Sequence, residues 1–170
     1  YTGSGGQTGG AGLWDIMASG NYLDSGDTPS LPSAWSRVLL GWTNLVTVSA
    51  DANGIVLGSA AQCQTVIRMN IPDHPREYFL LENRQGLLSD SALIARRGAA
   101  GLLVWHIDST QVAFGWGSNS VNAGPVHGVT LVEADGLNNL QKLVYFSGSG
   151  SNRGDAGDPQ LAALREAIAA

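Results

Sequence analysis

The amino-acid sequence predicts an α+β fold: a mainly antiparallel β-sheet with one amphipathic helix in the N-terminal third and a short C-terminal helix. Apolar residues recur at helical spacing most clearly in residues 33–42. From residue 45 onward the spacing changes to two, in short runs separated by Gly, Pro, Asn and Asp. The Ala/Leu-rich end of the chain, opened by Asp158 and Pro159, is typical of a final short helix.

The length and composition of the chain exclude several classes of protein. The chain has 170 residues, a length that suits one domain with a substantial core. Charged residues make up 14% of it, against about 25% in an average domain. The net charge of -5 argues against a nucleic-acid partner, which requires a basic face. Cys63 is the single cysteine, so no internal disulfide framework exists, and no apolar run approaches the roughly 20 residues of a membrane span.

We divide the chain into two parts. Residues 1–32 form a Gly-rich loop and a Met-bearing turn, and residues 33–170 form a helix followed by a β-rich body. Ser33 is placed to cap the helix, and Arg37 is expected to face water because it lies off the apolar stripe. That stripe consists of Trp35, Val38, Leu39 and Trp42.

The strands follow from shorter patterns. Residues 51–54, which end in Asn-Gly, predict the turn of a hairpin between residues 46–48 and 55–57. Residues 62–71 alternate and predict a half-buried strand with Cys63 on its apolar face, followed by a turn at residues 72–75. Dense apolar runs predict buried strands at residues 77–83, 101–108, 126–133 and 143–146.

Several segments, in their order along the chain, resemble the immune inhibitor A-type zinc metallopeptidases. The first is Trp-Asp-Ile-Met-Ala-Ser-Gly at residues 14–20, followed by Pro-Ser-Ala-Trp at 32–35 and Leu-Gly-Trp at 40–42. The remaining segments are Glu-Tyr-Phe-Leu-Leu-Glu-Asn-Arg at 77–84, Gly-Leu-Leu-Val-Trp-His-Ile-Asp at 101–108, Leu-Val-Glu-Ala-Asp-Gly at 131–136 and Asn-Arg-Gly-Asp-Ala-Gly-Asp-Pro at 152–159.

The resemblance implies a secreted zinc endopeptidase that acts on protein or peptide substrates, and the nearly cysteine-free, Gly/Ser/Asn-rich composition favours a bacterial source. In that family Met17 would form the floor of the zinc site, and an upstream H-E-x-x-H would supply two histidine ligands and the Glu that activates water. This chain contains no H-E-x-x-H. We therefore expect it to be the downstream part of the catalytic domain, to contribute one cleft wall at residues 19–32, and to be inactive alone.

Several other residues are weaker candidates for a functional role. Tyr22 is placed after the Met-bearing turn, where it would donate to an oxyanion or simply pack or lie in solvent. His106 has two interpretations. It is either a zinc ligand or a structural histidine within the sheet, and we prefer the second. Four carboxylates, Glu77, Glu82, Glu133 and Asp135, suggest an acid–base pair. For Glu82 we favour a structural salt bridge with Arg84, Arg96 or Arg97.

The Gly-rich loop near the C-terminus predicts a calcium site made of Asn152, Asp155 and Asp158, with a solvated turn as the equal alternative. The same loop contains Arg153-Gly154-Asp155, an adhesion tripeptide that arises often by chance. The alternative function is therefore a non-catalytic extracellular module that binds protein or carbohydrate, with calcium as a candidate stabilising ion. Tryptophans exposed in a row would permit sugar stacking, and Trp116, between two glycines, is the tryptophan for which exposure is most expected.

Overall fold

The computed structural model describes residues 10–48, 52–97, 100–142 and 153–160. In this part of the chain the strands form one five-stranded sheet in the order β1-β2-β3-β4-β5. The strands are β1 (Asn44–Val48), β2 (Thr65–Ile71), β3 (His74–Arg84), β4 (Gly101–Asp108) and β5 (Val129–Leu131).

Pairing in the sheet is antiparallel except at one edge. β2 pairs with β3, β3 with β4 and β4 with β5 in antiparallel register, whereas β1 pairs with β2 in parallel. The predicted turn at residues 72–75 joins β2 to β3, with Asp73 in the left-handed region at φ 63°. The predicted α+β class with a mainly antiparallel sheet is confirmed.

Three α-helices occur among the described residues, and all of them are short. They are α1 (Ala34–Leu39), α2 (Ser91–Arg97) and α3 (Ser109–Gly115), and 3₁₀ turns occupy Gly12–Trp14, Gly20–Gly26, Leu88–Asp90 and Asn139–Gln141. The predicted cap of α1 is confirmed, since Ser33 Oγ accepts the Ser36 N–H at 3.3 Å. Among the described residues no helix has the length and apolarity needed to cross a membrane.

Two predictions about helix α1 are wrong. The helix ends at Leu39, and both Leu39 and Trp42 are exposed, so the apolar stripe does not continue along its second half. Arg37, expected in water, is only 5% exposed. Its guanidinium points into the molecule because Glu82 of β3 lies 2.6 Å from Nη2.

The predicted hairpin around residues 51–54 is also wrong. β1 does not turn back onto residues 55–57, which lie outside the strands; instead it pairs in parallel with β2, Val46 opposite Ile67. The Asn-Gly pair therefore belongs to the connection between two parallel strands, which must cross over from one end of the sheet to the other.

One face of the sheet carries the core. Buried side chains of the central strands pack against residues from the N-terminal turn, α1 and α2. These are Val66, Leu80, Leu103, Trp105, Ile107 and Leu131 from the sheet, and Trp14, Leu23, Trp35 and Leu93 from the covering elements. The opposite face is only partly covered, and Met69 on it is 42% exposed. The alternation predicted for β2 is therefore misassigned, since Val66 faces the core and Met69 does not.

The remaining predictions of strands and of the C-terminal helix have different outcomes. β3 and β4 confirm the strands expected at residues 77–83 and 101–108, and β5 occupies only part of the run at residues 126–133. The strand expected at residues 143–146 and the C-terminal helix after Pro159 lie outside the described residues.

Candidate functional site: the Met17 turn and the charge cluster beneath it

The Met-bearing segment is a closed turn organised by Asp15. The Asp15 carbonyl oxygen accepts the N–H groups of Ala18 and Gly20 at 3.0 and 3.1 Å, and its carboxylate oxygen Oδ1 accepts the Met17 N–H at 2.9 Å. Ser19 N–H donates to the carbonyl of Gly12 at 2.8 Å, which ties the turn to the segment before it. The Met17 side chain itself is 60% exposed.

The floor of the turn is Trp14, which is completely buried. Its indole Nε1 donates to Asp158 Oδ2 at 2.7 Å, across 144 positions of sequence. One residue earlier, the Leu13 N–H donates to the carbonyl of Arg153 at 2.7 Å. The loop at residues 153–158 therefore supports the start of the Met17 turn through Leu13 and Trp14.

A group of five buried charged residues lies under the same turn, and we call it the charge cluster. Arg84 is its centre. Nε and Nη2 of Arg84 each donate to one carboxylate oxygen of Asp90 at 2.6 Å, while Nη1 donates to the carbonyl of Trp14 at 3.1 Å. A main-chain atom of the turn is thus held directly by the guanidinium. The cluster consists of Asp15, Arg37, Glu82, Arg84 and Asp90.

Glu82 connects the cluster to the sheet and to α1. Its carboxylate accepts from Arg37 Nη2 at 2.6 Å, from Trp105 Nε1 at 2.7 Å and from Arg84 Nη1 at 3.3 Å. The salt bridge predicted with Arg84 is confirmed. The contact with Arg37 is the shorter of the two and was not predicted. Arg37 lies 45 residues from Glu82 in sequence, and its side chain was expected to face solvent.

The charge cluster contains three carboxylates and two guanidiniums. Burial raises the pKa of Asp15, with the negative charge of Glu82 adding to the effect, while hydrogen bonds from Ser33 and Met17 act in the opposite direction. For Arg84, burial lowers the pKa, but Glu82 and Asp90 outweigh it and keep the guanidinium charged. Burial therefore disfavours the ionised form of the carboxylate that accepts the Met17 N–H.

Tyr22 and the predicted cleft wall adjoin this turn. Tyr22 is 69% exposed, one of the outcomes expected for it, and its N–H donates to the carbonyl of Ser19 at 3.2 Å. The wall at residues 19–32 contains the 3₁₀ turns of Gly20–Gly26, with Asp24 and Ser25 in the left-handed region. Leu31 near its end is held by Asp90, which accepts the Leu31 N–H at 3.3 Å.

The proposed calcium ligands fall partly within the described residues. Asp158 is buried; its Oδ2 accepts both Trp14 Nε1 and the Asp155 N–H, each at 2.7 Å. Its other oxygen, Oδ1, is buried without a hydrogen-bond partner among the described residues. Burial, with Asp155 and Glu133 contributing, raises the pKa of Asp158 to about 6. Asn152 lies outside the described residues, and calcium binding stays a prediction.

The adhesion tripeptide is built into this same support. Arg153 is exposed, but Gly154 is buried against the indole of Trp14 at φ 103°. The three residues are therefore part of the packing under Trp14.

The other candidate residues contact neighbours outside the charge cluster. Nε2 of His106 lies 2.9 Å from Glu77 Oε2, and Nδ1 of His74 lies 3.2 Å from Glu77 Oε1. Glu133 accepts the N–H groups of Asn139 and Leu140 at 2.6 and 2.9 Å, so it caps the 3₁₀ turn there. In the described ranges no set of three or more His, Cys, Asp and Glu side chains is arranged to hold a metal ion.

The tryptophans divide into two groups. Three of them, Trp14, Trp35 and Trp105, are buried in the core. Trp42 and Trp116 are 57% and 55% exposed, which confirms the expected exposure of Trp116. Trp116 contacts Trp35 edge-on, with ring centroids 5.9 Å apart.

No protein-family model, curated protein or solved structure matches the chain. The resemblance of its segments to the immune inhibitor A-type peptidases is therefore an interpretation of the sequence alone.

Proposed function

We propose that this chain is the downstream part of a secreted zinc metalloendopeptidase of the immune inhibitor A type. It supplies the Met-bearing turn and one wall of the substrate cleft at residues 19–32. Zinc, held by residues that precede this segment, would polarise the scissile carbonyl and generate a hydroxide nucleophile from water. The role assigned to this chain is to form the apolar floor of that site.

The observation that carries the proposal is the exposure of Met17 on a rigidly supported turn. A buried charge cluster is a poor way to gain stability, since desolvation of the ions offsets much of their attraction. Here Asp15 and Arg84 of such a cluster hold the main chain leading into Met17, at the Met17 N–H and at the Trp14 carbonyl. A large apolar side chain fixed in this way and left 60% exposed is suited to lie against another part of the protein.

The residues described here do not themselves fit a zinc site. His74 and His106 both contact Glu77 on the sheet, away from Met17 in the hydrogen-bond network, and no three-residue ligand group is present among the described residues. No catalytic step is therefore assigned to a metal held by these side chains. In this proposal the described residues provide the structure beside the zinc site: the Met17 turn, the buried residues that support it and the adjoining cleft wall.

The test is casein hydrolysis by the complete reading frame that contains this chain. We expect cleavage that a chelator abolishes and zinc restores, and no cleavage by the 170-residue chain alone. Met17→Ala in the complete protein should lower kcat/KM by roughly tenfold or more, as loss of a supporting residue around a metal does. Met69→Ala, the other methionine and also exposed, is the matched control. A complete protein without chelator-sensitive cleavage would refute the proposal.

A non-catalytic carbohydrate-binding module is the second candidate. It is favoured by the exposure of Trp42 and Trp116, whose rings are available for stacking on sugars. Titration of the chain with oligosaccharides should then quench tryptophan fluorescence, and Trp116→Ala should reduce the effect. Absence of quenching at millimolar sugar would remove this candidate.

A further inference from the structure

We propose that Asp15 is a positioning residue for Met17, and that proton uptake by its buried carboxylate loosens the Met17 turn. The meaning of this coupling for catalysis rests on the proposed function. The coupling itself is a property of the folded chain and can be measured without any peptidase activity.

Asp15 uses both its main chain and its side chain to close the turn: its carbonyl accepts from Ala18 and Gly20, and its carboxylate accepts the Met17 N–H at 2.9 Å. The second carboxylate oxygen, Oδ2, lies 3.4 Å from Ser36 Oγ of α1. The conformation at Met17 is thus set by a side chain that is itself fixed from a neighbouring helix.

Asp15 lies among other charged groups. Glu82 and Arg84 from β3 interact with it electrostatically, and Arg37 from α1 and Asp90 from the 3₁₀ turn at Leu88–Asp90 are bound in turn to these two residues. Both guanidiniums are already engaged by other carboxylates: Arg37 by Glu82, and Arg84 by Asp90 and Glu82. Asp15 is 2% exposed and has only neutral hydrogen-bond donors.

The hydrogen bond to Met17 and the burial of Asp15 together explain why a proton matters at this position. An ionised carboxylate accepts a hydrogen bond from a main-chain N–H about twice as strongly as a neutral one. Burial raises the pKa of Asp15 above the ordinary value for Asp. As the carboxylate takes up a proton, the bond to Met17 N–H weakens while the rest of the turn stays closed through the Asp15 carbonyl.

The experiment uses the two methionines of the chain, Met17 and Met69. With ¹³C-methyl methionine the full chain gives two methyl resonances, and Met69 on the sheet serves as an internal reference. We expect the Met17 resonance to titrate with a midpoint above the usual value for Asp of about 3.9. The Met69 resonance should not follow the same curve.

Two variants assign the titration. Asp15→Asn keeps an oxygen that accepts the Met17 N–H but cannot ionise, so the Met17 titration should disappear while the fold persists. Asp15→Ala removes the acceptor, and amide hydrogen exchange at Met17 should become roughly tenfold faster. Asp24→Asn, in the neighbouring exposed segment, is the control and should leave the Met17 titration intact.

A Met17 resonance that does not move with pH, or one that titrates equally in Asp15→Asn, would overturn the inference. Unchanged exchange at Met17 in Asp15→Ala would overturn the positioning role. Neither result bears on whether the complete protein cleaves casein, so failure here and failure of the proposed function are distinguishable.

Discussion

At the scale of single residues, Arg84 shows how a buried charge supports the exposed Met17 turn. Its guanidinium makes a two-point contact with Asp90 and reaches the carbonyl of Trp14, while its side chain is completely buried. The planar, forked arrangement of its donors suits this role, and a lysine ammonium would not reproduce it.

Arg84→Ala should destabilise the chain by about 3–5 kcal/mol, because it leaves Asp90 buried without its cation and removes one of the two cations that contact Glu82. The measurement is urea unfolding at neutral pH. Arg76→Ala is the matched control: Arg76 is an exposed arginine of the same strand, and its removal should change stability by no more than about 0.5 kcal/mol. A loss below about 1 kcal/mol for Arg84→Ala would contradict the role given to the charge cluster.

Asp15 should also make stability depend on pH. Its pKa is raised in the folded state, so its contribution to stability is fully present below the unfolded value of about 3.9 and is lost as pH rises through the folded pKa. The free energy of unfolding of the wild type, minus that of Asp15→Asn, should therefore decrease as pH rises from about 4 to 7. A difference that is constant or grows over this range would contradict the assignment.

Arg37 illustrates what sequence reasoning could not predict at this scale. An arginine off an apolar stripe normally faces water, and the helix pattern gave no reason to place it inside. Its burial follows from the position of Glu82, which a buried strand brings beneath α1. A partner 45 residues away becomes a neighbour only when the packing of helix on sheet is known.

At the scale of elements, the Met17 turn depends on close approach of main chains. Gly20 ends the turn, and a Cβ added there would overlap Ser30 Oγ and lie 2.7 Å from the carbonyl oxygen of Asp15. Gly20→Ala should therefore destabilise the chain by about 1–3 kcal/mol in chemical unfolding.

Gly117→Ala is the control for this prediction, since a Cβ at Gly117 meets nothing within 4 Å. It should be nearly neutral. Equal effects of the two substitutions would show that the close packing around Gly20 is not required.

The loop at residues 153–158 is the element on which the calcium prediction depends. If Asp158 Oδ1, buried without a hydrogen-bond partner among the described residues, contributes to a cation site, about 1 mM calcium should raise Tm relative to chelator. Asp158→Asn should abolish the increase, and Asp73→Asn, on the distant β2–β3 turn, should retain it. A Tm independent of calcium in the wild type would refute the calcium site.

The sheet shows which elements the sequence predicts well. The dense apolar runs of β3 and β4 were located correctly because a central strand is covered along its length and leaves a continuous signal. The parallel pairing of β1 with β2 was missed, since an Asn-Gly pair gives the same local signal in a hairpin and in a crossover connection. Strand partners at an edge depend on the rest of the sheet.

At the scale of the whole molecule, the α+β class was predictable and the site only in part. Met17 was singled out from sequence, and its exposure on the surface agrees with the role proposed for it. The charge cluster beneath it was not foreseen as a unit, because its members come from the turn, α1, β3 and a 3₁₀ turn. Only the packing of these elements brings them together.

The most direct test of the account is the sequence of the genomic region upstream of Tyr1. The account predicts an in-frame H-E-x-x-H before the Met17 turn, on a segment with the period of a helix. A stop codon or an unrelated domain in its place would contradict the zinc peptidase, and would leave the Met17 turn as a supported surface without catalytic function.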